Sequence, residues 1–232
     1  MFACYVSRHG HALIDRSLYL PKAWTDDPAR IALAQVPEKT GFATKPILAA
    51  RMIEQALAAA VPFAWAAADS VYGVGAIETK LRRAGKGYVL GVSSDHRVQS
   101  WGKGRAIAGS AETVAQSLLP SDWLRLSAGD GTKGARLHDW AYCPLADLDA
   151  AEDNTDRSGT WTRGLLIRRN IADGDLAFFS TWCPAGTSIE TLVKVEAIAG
   201  PSRTASRPPR TNSASTITRP AHGTVGTGMS RS

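Results

Sequence analysis

No stretch of this chain approaches the roughly 20 consecutive apolar residues needed to cross a bilayer, and its start lacks the basic-then-apolar pattern of a secretory leader. Neither a membrane-spanning nor an exported protein is expected, and the sequence reads as cytoplasmic. Cysteine is scarce. Cys4, Cys143 and Cys183 are odd in number, far apart and without C-x-x-C spacing, which argues against both a disulfide framework and a cysteine zinc site. They read as small hydrophobes. A glycine-rich phosphate loop and a nucleophile elbow are also missing, so little supports a small-molecule α/β enzyme.

Acidic residues stop altogether at Glu196. Beyond it lie Arg203, Arg207, Arg210, Arg219 and Arg231, which account for five of the six net positive charges. The pI near 9.4 is thus largely a property of the tail, and residues 1–196 are close to neutral. Net charge gives the body of the protein little claim to nucleic acid. Residues 197–232 also lack aromatics and periodicity and are rich in Ser, Thr, Arg, Pro and Gly, a composition expected to be disordered.

What is present is a soluble globular composition, 44% hydrophobic and 21% charged, enough for one large core or a core with an inserted subdomain. The central stretch is residues 62–73, Pro-Phe-Ala-Trp-Ala-Ala-Ala-Asp-Ser-Val-Tyr-Gly. Its unbroken apolar run predicts a strand buried on both faces, ending at Asp69. An acid at the carboxyl end of such a strand stands where α/β sheets place ligand chemistry, although a turn or cap role explains it as well. Before it, residues 2–7 and 11–20 read as an antiparallel hairpin around Arg8-His9-Gly10. His9 and His11 suggest a metal pair only superficially, since no third ligand is within sequence reach.

The acidic pair Asp26-Asp27 is placed to cap a helix opening at Pro28, and Thr44 to cap a longer one over 44–60. In the latter, Leu48, Ala49, Met52, Ile53, Ala56, Leu57 and Ala60 form one apolar stripe. A shorter helix at 74–84 turns Ile77 and Leu81 inward and Lys80, Arg82 and Arg83 outward, with Gly85 as its stop. An apolar strand at 87–93 completes an α/β order. Further on, the spacing predicts a helix at 111–119, strands at 136–145, 161–171 and 176–183 forming a small antiparallel unit, and a helix opening at Ser188. Trp65 reads as core, as do the tryptophans of the later segment.

Several stretches together resemble the DDE-class insertion-sequence transposases, whose core is RNase H-like. They are residues 5–21 (Tyr-Val-Ser-Arg-His-Gly-His-Ala-Leu-Ile-Asp-Arg-Ser-Leu-Tyr-Leu-Pro), Phe42 to Pro46, Ala68-Asp69-Ser-Val-Tyr72-Gly73, Ser127 to Gly134 and Asp139-Trp140-Ala. The resemblance spans about residues 2–196. It implies a partial RNase H-like mixed sheet over 1–94, uniting residues 2–20, 62–69 and 87–93. An inserted β-rich subdomain would follow over 95–187, then the start of a catalytic-glutamate helix at 188–196 and an out-of-frame tail at 197–232.

The resemblance implies that Asp69 is the second of three acids that hold two Mg²⁺ ions for cleavage and transfer of DNA strands at transposon ends. The family's first acid belongs to a strand preceding the hairpin, expected upstream of Met1. The third lies on the helix entered at Ser188. Read one nucleotide earlier, the codons of residues 197–207 permit Gly-His-Arg-Trp-Ala-Ile-Glu-Asp-Ser-Phe-Glu, which resembles the third-acid motif and places its first glutamate under Arg203. The expectation is a transposase fragment, frameshifted after Glu196 and inactive alone. The competing reading is a non-catalytic DNA-binding module using Lys133, Arg136, Arg168 and Arg169 together with the arginine tail.

Overall fold

The computed structural model describes residues 1–37, 40–70, 72, 75–100, 107–131, 134–145 and 160–198. Two strands, β1 (Phe2–Ser7) and β2 (Gly10–Arg16), make the expected antiparallel hairpin. Short helices α1 (Lys22–Thr25) and α2 (Pro28–Leu33) follow, and Asp27 caps α2 by accepting the Arg30 amide at 3.0 Å. Helix α3 (Lys45–Ala58) starts at its Thr44 cap, where the hydroxyl accepts the Ile47 amide. Then come β3 (Trp65–Ala68), α4 (Gly75–Arg83) and β4 (Gly87–Val92). Strands β5 (Arg97–Ser100) and β6 (Ile107–Ser110) pair with each other and lead into α5 (Ala111–Gln116), capped by Ser110.

The remaining strands, β7 (Leu124–Gly131), β8 (Gly134–Leu145), β9 (Trp161–Arg169) and β10 (Leu176–Pro184), build most of a six-stranded mixed sheet. Its order is β3-β4-β10-β9-β8-β7, parallel at β3–β4 and antiparallel elsewhere. The antiparallel unit is therefore joined edge to edge to the α/β core through β10 and β4. Helix α6 (Ile189–Ile198), opened by the Ser188 hydroxyl accepting the Thr191 amide, covers one face.

Strand alternation sorts the core into two sides. Val89, Trp140, Leu166, Phe179 and Cys183 pack under Leu192, Val193 and Val195 of α6. On the opposite face, Tyr88, Leu90 and Trp182 meet Ala50 of α3 and Ile77 and Leu81 of α4. That layer continues through Val92, Leu165, Ile167 and Phe178 to Val98 and the α5 residues Ala111 and Val114.

Three expectations are corrected. The hairpin is a separate two-stranded sheet and does not join β3 and β4. The strand buried on both faces is β4, every residue of which is buried, whereas β3 is half-buried because it stands at the edge of its sheet. Arg82 points inward, pairing at 3.7 Å with buried Glu78 and lying over the Trp182 ring, since a flat guanidinium that faces a carboxylate and an aromatic ring can enter a core.

Candidate functional site

Asp69 follows directly on Ala68, the last residue of β3, beside Leu90 and Gly91 of β4. Its Oδ1 accepts the Ser70 amide at 2.6 Å and its carbonyl accepts the Tyr72 amide at 2.9 Å, so the carboxylate also shapes the turn leaving the strand. Gly91 is the reason β4 can run this close. A Cβ there would come within 2.5 Å of the Ser70 nitrogen and 2.8 Å of the Asp69 carbonyl carbon, both backbone atoms that cannot swing away.

The half-buried Asp69 lines a cleft of about 580 Å³. One wall is β1, from Phe2 to Val6, and the other is the segment from Pro62 to Asp69. Met52, Ile53 and Ala56 of α3 close one side, while Val195 and Ile198 of α6 also border it. Tyr72 reaches across, donating its hydroxyl to the Met1 sulfur at 3.3 Å. Burial, and then the charge of Asp69, push the Tyr72 phenol above its ordinary value and keep it protonated. Tyr72 stood in the sequence only within the matched stretch around Asp69, and Gly91, Val195 and Ile198 carried no sequence signal for this site.

Among the described residues, Arg136, Arg168 and Arg169, singled out from the sequence, do not line this cleft. Lys133 lies outside the described residues. Arg136 donates from Nη2 to the Ala128 carbonyl at 2.5 Å. Arg168 donates to Glu196 at 2.6 Å and lies over the Trp140 and Phe179 rings. Burial raises the Glu196 carboxyl above its usual range, with Arg168 and then Arg136 opposing that rise. Arg169 faces the opposite side of β9, 3.1 Å from Asp139 and over the Trp123 ring. Asp139 also accepts from Arg125, and that bond, with help from Arg169, holds it below the usual carboxylate range. Of the described arginines of this set, Arg169 keeps its head partly in solvent and Arg168 does not.

Residues 2–111 match the family model described as DDE superfamily endonuclease. Over that segment the chain is similar to DDE-class, transposase-like proteins. The DDE segment runs from β1 to the first residue of α5 and contains Asp69, both walls of the cleft and Gly91. No curated relative and no solved structure matches the chain.

DDE endonucleases as a class work with divalent metal. Two hard cations held close together need several carboxylate oxygens around them. Asp69 is the one carboxylate among the described residues lining the cleft, and no group of three His, Cys, Asp or Glu among them is arranged to hold a metal. His9 and His11 are exposed on the hairpin, where His9 accepts from the Arg8 side chain. The described donor set thus does not fit a two-cation centre. Among the described residues, no helix is long and apolar enough to cross a membrane.

Proposed function

We propose that this chain is part of a DDE transposase, with Asp69 as the surviving metal-binding acid of Mg²⁺-dependent DNA strand cleavage and transfer, and that the 232-residue chain alone does not perform the reaction. The observation that carries this reading is Asp69 itself. It stands at the carboxyl end of a core strand, in a cleft, within the DDE segment, without a second carboxylate among the described residues of that cleft. One carboxylate can give a cation two oxygens at most, too few for a pair of ions that must grip both the attacking and the leaving oxygen.

DNA is the partner of this reading. Arginines of the tail supply weak, salt-sensitive attraction to phosphates, because each neutralised phosphate releases counterions and the log–log salt slope is about −0.9 per contact. That attraction also supports a second reading, a DNA-binding module without catalysis.

The test compares the 232-residue chain with a version whose frame is restored after Glu196 and which carries the upstream strand, each with Asp69 intact or as Asp69→Ala. Strand transfer on transposon-end DNA with Mg²⁺ is the readout. Activity is expected only in the restored protein with Asp69. Activity of the unrestored chain, or a restored protein indifferent to Asp69→Ala, overturns the reading. DNA binding without cleavage in every version favours the binding module.

A further inference from the structure

Asp139 is the centre of a charged row that crosses three strands. The register sets it opposite Arg125 of β7 on one side and Arg169 of β9 on the other, so the three side chains share one face of the sheet, the face away from α6. Arg125 donates from Nε to Asp139 Oδ1 at 2.9 Å and from Nη2 to Oδ2 at 3.5 Å. Arg169 donates from Nη2 to the same Oδ2 at 3.1 Å, and its guanidinium lies 4.2 Å from the centre of the Trp123 ring. The two heads converge on one carboxylate, close enough for a single phosphodiester to bridge them. Both also meet water, their side chains being 59% and 39% exposed against 15% for Asp139. A guanidinium carries five N–H donors, and Asp139 takes two from Arg125 and one from Arg169. Donors remain on each head, and two positive charges against one negative leave the row positive. Arg136 and Arg168, on the other face, spend donors inside the fold on the Ala128 carbonyl and on Glu196.

We propose that Arg125 and Arg169 form a preorganised contact for one phosphate of the DNA backbone, with Asp139 and the Trp123 ring holding the two guanidiniums in place. The contact rests on the reading of DNA as the partner. It brings Arg125, Trp123 and Asp139 into that reading and removes Arg136 and Arg168 from it. Preorganisation separates this pair from an ordinary surface arginine, because a long side chain that is already fixed loses less freedom when a phosphate arrives, and the planar fork matches the phosphate oxygens. The contact carries no base preference, since phosphate oxygens are alike along any duplex.

The test follows the anisotropy of a labelled duplex of arbitrary sequence with the full 232-residue chain across a series of NaCl concentrations. Arg125→Gln and Arg169→Gln should each weaken binding about three- to tenfold at low salt, and the double variant should reduce the log–log salt slope by about one, the mark of a single phosphate contact. The tail arginines are present in every variant, so their share of the slope cancels. Arg30→Gln is the matched control: that arginine is exposed and lies 4.0 Å over the Trp24 ring, away from the Asp139 row, and its loss should leave the slope unchanged. In nitrogen-edited spectra the Nε–H signals of Arg125 and Arg169 and the Trp123 indole N–H should shift on addition of duplex. Those shifts, with the variant of the more exposed Arg125, decide the matter even if Arg169→Gln does not fold. A parent chain that binds no duplex overturns the DNA reading and this contact with it. If the parent binds, the contact alone is overturned by a double variant that keeps its slope, by an equal loss in Arg30→Gln, or by poly-glutamate of matched charge displacing the duplex from these arginines.

Discussion

Two strand neighbourhoods in this molecule have nearly the same composition and opposite surroundings. β4 is paired on both sides and covered on both faces, with Tyr88, Val89 and Leu90 at most 1% exposed. β3, equally apolar and only one strand away, is paired on one side and opens on a cleft. In the partnering hairpin, Phe2 and Leu13 are 65% and 66% exposed. Apolar character thus does not itself decide burial; an apolar strand is buried when neighbours occupy both edges and both faces. The side of the molecule bearing Asp69 is the side where that condition fails.

The sharpest way to test the contrast is to truncate one side chain in each region. Leu166→Ala removes a fully buried side chain between Trp140, Phe179 and the α6 residues, and should cost about 2–5 kcal/mol in urea denaturation. Phe2→Ala should change stability by less than about 0.5 kcal/mol. Comparable losses would mean that the hairpin is packed in solution and that the cleft is closed.

Arg168→Leu probes whether the closed side depends on a paired charge. It strands the buried Glu196 carboxylate and should cost about 3 kcal/mol at neutral pH. Burial already raises Glu196 in the folded state, so folding favours its protonated form. Stability contributed by that group is present below its unfolded pKa and declines as pH rises through the raised folded value. The deficit of Arg168→Leu against the parent should therefore shrink on acidification, as a series of melting curves from neutral pH to about pH 4 would show. A deficit independent of pH would mean that lost packing on Trp140 and Phe179, not the stranded charge, carries the effect.

Gly91→Ala sits where the two regions meet. The added methyl collides with the Asp69–Ser70 backbone, so it should cost about 1–3 kcal/mol and displace Asp69 while leaving β10 and β9 in register. Amide chemical-shift changes concentrated at residues 68–72 and 90–92 are the expected signature. A uniform shift change across the sheet would show that β3 and β4 respond as one packed unit.

Most helices and strands were legible because their determinants are local. The Leu48–Ala60 stripe, the Thr44 hydroxyl, the apolar run at 87–93 and the patterned segments at 136–145, 161–171 and 176–183 specify helix or strand through residues close in sequence. β7 was missed, its run of Leu-Arg-Leu-Ser-Ala-Gly interrupted by small residues and by a register shift against β8. So were β5 and β6, two four-residue strands in a mixed segment.

The candidate site divides along the same line. That an acid ends a core strand at Asp69 is a property of the sequence alone, because an apolar run stopping on a carboxylate is a local pattern. That β3 is an edge, that β1 faces it across a cleft, that Gly91 grants the close approach to Asp69, and that Arg168 is matched to Glu196 were decided only by the tertiary structure. Each depends on which segments, tens of residues apart, come to lie side by side. A free strand edge has the same residues as a paired one, and an arginine reads alike whether its partner is a phosphate, water or a buried carboxylate.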